Sequence, residues 1–219
     1  MKLKKYQSIA LDTLKQYLGE LKQVAPKYAF MGITEQPYNG EFFDETPFVC
    51  VKIPTGGGKT FVGCHATVEI MRTTLSHKMD RGVVMWFVPS EAIKTQTLKK
   101  FKDRKDWHRR ILDEEFNNGI RIFSNEEALR IRKEDVDDNL CIIISSLEAF
   151  RKEKKLQNKY KVYQENGTLL SFFENINDED ILEKDDQGTV INSLANVIRM
   201  YNPLVVIDEG HKTKTKLSI

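Results

Sequence analysis

No apolar run in this sequence is long enough to cross a bilayer. The longest, 83–88 and 141–144, are a few residues each, where a spanning helix needs about 20. The N-terminus, MKLKKYQS, has basic residues with no apolar stretch behind them, so no secretory signal is read. Cysteine is scarce. Cys50, Cys64 and Cys141 show no paired spacing, which argues against a disulfide scaffold; Cys50 and Cys141 lie in apolar segments and read as buried thiols of a cytoplasmic protein. There is no Cys-x-x-Cys, no His-Glu-x-x-His and no nucleophile elbow, and His65, His77 and His108 lie at no ligand spacing with the cysteines. Charge of one sign is lacking too: the net charge is +2, too small for bulk electrostatics to imply a polyanionic partner.

What is present is ordinary for a folded protein: 219 residues, 40% apolar and 30% charged, enough for one sizeable core. Apolar residues Ala10, Leu14, Leu18 and Leu21 recur at helical steps and predict a helix over 6–24. Pro26, Gly32, Pro37 and Gly40 then read as a loop. The run 48–53 reads as a buried strand, 59 to about 76 as a helix and 82–88 as a second strand. Ser90 can cap a helix from Glu91. Short strands are expected near 121–124 and 140–145, a helix at 190–200, and a buried strand at 204–207. Strands alternating with helices imply an α/β fold with a mostly parallel sheet covered on both faces. The polar stretch 153–188, with Asn166-Gly167 and an aromatic patch at 169–173, reads as an insertion.

Two motifs carry chemistry. In Ile53-Pro54-Thr55-Gly56-Gly57-Gly58-Lys59-Thr60 the glycines supply backbone amides unobstructed by side chains, and a helix N-terminus follows. Lys59 can reach β- and γ-phosphates, and the Thr60 hydroxyl can bind Mg²⁺. Ile53 departs from the leading Gly of the general pattern. The bland alternative is a glycine-rich turn with a chance Lys-Thr. The second motif is an apolar run ending in Asp208-Glu209-Gly210-His211. Ligands of open α/β sheets bind at the carboxyl ends of strands. Asp208 can anchor Mg²⁺ there, and Glu209 can orient and deprotonate water; the alternative is a strand running out into a solvated turn.

Together these motifs resemble superfamily 2 helicases and translocases, with 55–60 as motif I and 208–211 as a DExH motif II. With Tyr6-Gln7 added, the chain is most similar to the restriction subunit of type III restriction-modification enzymes. The resemblance implies a P-loop NTPase (RecA-like) lobe over 1–219, with 1–47 as N-terminal helix and loop. It implies ATP and Mg²⁺, double-stranded DNA (RNA as the alternative) and a modification-methylase subunit as partner. Gln7 matches the glutamine with which such motors read adenine; the alternative is a solvated helix glutamine. Pro89, Ser90 and Gln96 resemble motif Ia, and Ser145 and Ser146 a later motif that grips the nucleic-acid backbone, with ordinary caps as the alternative. His211 resembles the residue coupling the ATP site to the motor.

The segment 94–110 places eight basic residues against Asp103 and Asp106. It can extend a backbone track with Trp107 as a stacking surface, or form a solvated amphipathic helix. The expected function is ATP hydrolysis by one lobe of a DNA translocase or helicase. The competing functions are a lobe of an RNA or DNA-repair DExH helicase and a non-catalytic nucleotide-gated binding module. A second RecA-like lobe with arginine fingers is not found after His211, so this 219-residue polypeptide is expected to hydrolyse ATP poorly by itself.

Overall fold

A computed structural model describes residues 2–38, 46–74, 81–174, 176 and 180–209. Gly210 and His211 lie outside the described residues. The chain divides into two compact units, 1–77 and 78–219.

The first unit is helical. Helix α1 (Lys5–Glu20) buries Leu11, Leu14, Tyr17 and Leu18; of the expected stripe Leu14 and Leu18 are buried, while Ala10 and Leu21 pack half-buried against the same cluster. Residues expected as a loop instead form α2 (Pro26–Thr34). Pro26 sits in its first turn, where its fixed φ and missing N–H cost nothing, and Ala29, Phe30 and Ile33 pack onto the α1 stripe. Helix α3 (Lys59–Thr74) completes the cluster through Val62, Ala66 and Ile70. The expected strand at 48–53 is not formed. Only Ile53 of that run is buried, while Phe48 and Val51 stay well exposed. Cys50 is accordingly exposed rather than buried, unlike Cys64 and Cys141.

Among the described residues the second unit is built on four parallel strands: β1 (Gly82–Val88), β2 (Ile120–Ser124), β3 (Leu140–Ser146) and β4 (Leu204–Ile207), in the order β2-β3-β1-β4. Central β1 and β3 are almost wholly buried, which explains their continuous apolar sequence. Side chains alternate across the sheet. Val83, Met85, Phe87, Cys141 and Ile143 face a cluster with Val136 of α7 (Lys133–Asp138) and Val197 and Ile198 of α9 (Leu194–Met200). Trp86 packs against Phe101 of α4 (Glu91–Lys102), ring centroids 4.9 Å apart. Helices therefore cover both faces, as the strand pattern implies.

Strand β4 differs from expectation. Its residues alternate between half-buried and exposed, with Val205 50% and Ile207 42% accessible, because among the described residues it pairs with β1 alone. The stretch 153–188 supplies α8 (Lys154–Tyr160) and a 3₁₀ turn at Gly167–Phe172. The turn sends Leu169 and Phe172 into the cluster that backs the sheet.

Candidate nucleotide loop and the carboxyl edge of the sheet

In the first unit the loop before α3 has the shape that phosphate recognition demands. Gly56 and Gly58 take φ values of +72° and +78°, a left-handed conformation that costs glycine nothing and other residues a good deal. The Gly57 N–H bonds to the Pro54 carbonyl at 2.9 Å, and the Val62 N–H bonds to the Gly58 carbonyl at 3.0 Å. The latter is the first bond of the helix, so the amides just before it lie at its positive end. A Cβ at position 57 would come within 2.7 Å of Ile53 Cγ2 and 2.8 Å of the Pro54 carbonyl oxygen. Thr55 and Gly56 face outward, and Lys59 and Thr60 are half-buried. Ile53, where the general pattern has glycine, packs with Leu11, Leu14 and Val62; an apolar side chain anchors the loop there. These features suit a triphosphate carrying a divalent cation.

Gln7 is neither solvated nor open on its surroundings. It is 1% exposed. Its Nε2 donates to the Gly57 carbonyl at 2.7 Å, and its Oε1 accepts from the Lys4 N–H at 2.8 Å. The Tyr6 hydroxyl donates to the same carbonyl at 3.1 Å. The Tyr6-Gln7 pair thus holds the loop from behind.

In the second unit, parallel strands bring four carboxyl ends to one edge. Asp208 and Glu209 follow β4, and the Asp208 N–H bonds to the Phe87 carbonyl at 2.8 Å. Both are half-buried. Glu209 takes a φ of +59°, an uncommon conformation for a residue with a Cβ, of the kind concentrated at functional sites. After β1, Pro89 is half-buried and Ser90 exposed, with the Ser90 hydroxyl accepting from the Ile93 N–H at 3.4 Å. Gln96 is exposed on α4. Ser145 and Ser146, at the end of β3, are 0% and 1% exposed. Their hydroxyls donate inward, Ser145 to the Ser146 carbonyl at 3.2 Å and Ser146 to Glu91 at 2.7 Å. Neither faces solvent.

Half of the basic segment is paired with acids within the fold. Lys94, 5% exposed, bonds to Glu91 at 2.6 Å, Glu126 at 2.7 Å and Asn125 at 3.1 Å. Lys102 pairs with Glu127. Arg109 pairs with Asp113, and Arg110 approaches Glu114 while lying 4.7 Å over the Trp107 ring. Lys99, Lys100, Arg104 and Lys105 remain exposed. The Lys94 network was not read from sequence, although the Glu91–Lys94 spacing is that of a helical ion pair; Asn125 and Glu126 come from 31 and 32 positions away by long-range folding, outside any local pattern.

This network predicts a pH response. Burial pushes the Glu91 and Glu126 carboxyls up, but bonds from Lys94, with Ser146 on Glu91 and Ser124 on Glu126, bring them below the ordinary 4.5. Burial lowers Lys94, and its two carboxylates more than reverse that, raising it above 10.5. A depressed carboxylate stabilises the fold above its unfolded pKa and loses this as pH falls through the folded value; a raised lysine loses its contribution at high pH. Stability is therefore expected to be flat between these limits and to fall below about pH 4.5. Urea midpoints measured against pH check this: the acid limb should be shallower in Glu91→Gln/Glu126→Gln, and an unchanged limb rejects the assignment.

A family model described as type III restriction enzyme, res subunit, matches residues 1–218. The chain belongs to that family. Comparisons with curated proteins and with solved structures give no match. Family membership agrees with the parallel α/β architecture, and makes this Res-family chain a helicase-like, ATP-dependent motor lobe in kind. No described helix is long and apolar enough to cross a membrane.

Proposed function

We propose that this Res-family chain binds Mg²⁺–ATP and contributes to ATP-driven movement on duplex DNA. The observation that carries the nucleotide reading is the loop at 54–60, with its two left-handed glycines opening directly into α3. Lys59 is assigned to the β- and γ-phosphates and Thr60 to Mg²⁺, with Thr55 and the Gly56–Gly58 amides cradling the anion. Mg²⁺, when bound, neutralises charge on the β- and γ-oxygens. Asp208 is assigned as its second anchor and Glu209 as the base that orients and deprotonates water. Gln7 and Tyr6 are assigned to holding the loop, since the Gln7 amide already bonds to Gly57. A cytoplasmic setting and a modification-methylase partner follow from the family resemblance alone.

Duplex contact is assigned to the Pro89–Ser90 turn and Gln96, joined by the exposed Lys99 and Lys100 of the same helix. Binding through such groups is sequence-independent and falls steeply with salt. Charge reversal at Lys99 and Lys100 is expected to weaken binding of unrelated duplexes alike and to flatten the salt slope. Fluorescence anisotropy with two unrelated duplexes, between about 50 and 200 mM salt, measures both. Binding indifferent to salt and to the reversal would remove DNA from the assignment and favour a nucleotide-gated module of another kind.

A further inference from the structure

We propose that α8 is wired into the nucleic-acid grip, with Tyr160 and Glu91 acting as positioning residues for the turn at Pro89–Ser90. This rests on the assignment of that turn to duplex contact. The wiring is a partly buried polar network that joins the ends of three strands to a helix lying far along the chain; Lys94, Ser146 and Tyr160 are buried, while the Glu91 side chain is 43% accessible. Glu91, in the first turn of α4, accepts from the Ser146 hydroxyl at the end of β3 at 2.7 Å. It also pairs with Lys94 at 2.6 Å. Lys94 in turn reaches Asn125 and Glu126, which open the short helix α6 (Asn125–Ala128) immediately after β2. The Tyr160 hydroxyl lies 3.3 Å from Glu91 and 3.3 Å from Glu148, which follows β3. Tyr160 is 4% exposed, and its ring packs in a cluster with Ala149, Leu156, Val162 and Ala195.

The chemistry makes this hydroxyl a director. A tyrosine has one proton to donate, and here two carboxylates compete for it at equal distance. Donated to Glu91, the proton completes a set of three donors around that carboxylate, together with Ser146 and Lys94. The first turn of α4, whose cap is Ser90, is then held to β3 and α8 at once. Donated to Glu148, it leaves the turn held by Ser146 and Lys94 alone. Charge-assisted hydrogen bonds that share one carboxylate reinforce one another, so loss of one is felt by its neighbours. Tyr160 therefore acts through Glu91 and touches no ligand itself.

The test uses the 219-residue chain with Tyr160→Phe, Glu91→Gln and the double variant. Tyr160→Phe keeps the ring and its packing while removing the hydroxyl. In the free protein, amide hydrogen exchange at 90–94 should quicken in Tyr160→Phe, with β1 and β3 still protected. Each single variant should weaken binding of a mixed-sequence duplex about threefold or more. The double variant should lose less than the product of the singles, as coupled groups do. The nucleotide-induced melting shift should stay at the wild-type value in all three, which a general loss of folding would not allow. Unchanged exchange at 90–94, or multiplicative losses, overturns the proposal. If the wild-type chain binds no duplex, the DNA assignment fails by itself, and the exchange result alone still decides whether Tyr160 governs the turn.

Discussion

Lys59→Ala is expected to abolish most of the rise in melting temperature that Mg²⁺–ATP or Mg²⁺–ADP gives this chain. A ligand present at a hundred times its dissociation constant stabilises the folded state by about 2.7 kcal/mol. For a chain of this size each kcal/mol moves the melting temperature by roughly 2–4 °C, so the wild-type shift should be about 5–10 °C. The ammonium of Lys59 is the one positive charge among residues 54–60; the other groups of the loop are threonine hydroxyls and backbone amides. Removing it leaves a concave set of amides facing several negative charges, and nucleotide affinity should fall by far more than tenfold. The fold should be spared, since Lys59 is only half-buried at the start of α3. Scanning calorimetry with and without nucleotide checks this. Equal shifts in the two proteins would mean that the loop at 54–60 does not hold the phosphates.

The loop, unlike much of its setting, was legible because its physics is local. Glycines at 56 and 58 are required by backbone conformation, and Lys59-Thr60 opens a helix whose start the same glycines define. The parallel sheet was legible for a related reason. Strands β1 and β3 are buried on both faces, and a continuous apolar run leaves few other places to go. The strand expected at 48–53 misled because an apolar run signals a strand only if partners exist on both sides. Ile53 finds a core among Leu11, Leu14 and Val62, with Val49 half-buried against it, while Phe48 and Val51 stay exposed. Helix α2 was hidden by Pro26 and Gly32, which break helices in the interior but are tolerated in a first turn or on an exposed face.

The serines at the end of β3 show a second limit. Ser145 and Ser146 have the residue types that suit phosphate contact, and a sequence cannot tell whether a hydroxyl points out of a strand end or into it. Burial of the whole strand turns both inward, where Ser146 serves Glu91. The basic segment misled in the same way. Charge counting treats Lys94 and Arg109 as surface cations, yet both are 5% exposed. Long-range folding brings the Asn125 amide and the Glu126 carboxylate to Lys94, and no local window contains them.

The two buried cations Lys94 and Arg109 should differ sharply when removed, and Arg109→Met should be the more damaging change. Arg109 donates to Asp113 at 2.8 Å, to the Phe101 carbonyl at 3.2 Å and to the Ile120 carbonyl at 3.1 Å. One guanidinium thus ties the end of α4, the helix α5 (Trp107–Glu115) and the start of β2. Its partner carboxylate has a side chain only 11% accessible, so water cannot replace the lost cation. Breaking a buried pair from one side costs about 3–5 kcal/mol, roughly 10 °C in melting temperature. Lys94→Met meets a different environment. The side chains of Glu91 and Glu126 are 43% and 54% accessible, and solvent takes over from the ammonium. What remains is the fully buried Asn125 carbonyl without its donor, worth about 1–2 kcal/mol. Urea denaturation of both variants at neutral pH gives the comparison directly. Arg109→Met should lose at least twice what Lys94→Met loses, while Arg109→Met/Asp113→Leu should recover much of the deficit by removing the stranded charge. Equal losses in the two single variants, or no recovery in the double, would show that burial of the partner carboxylate does not set the cost.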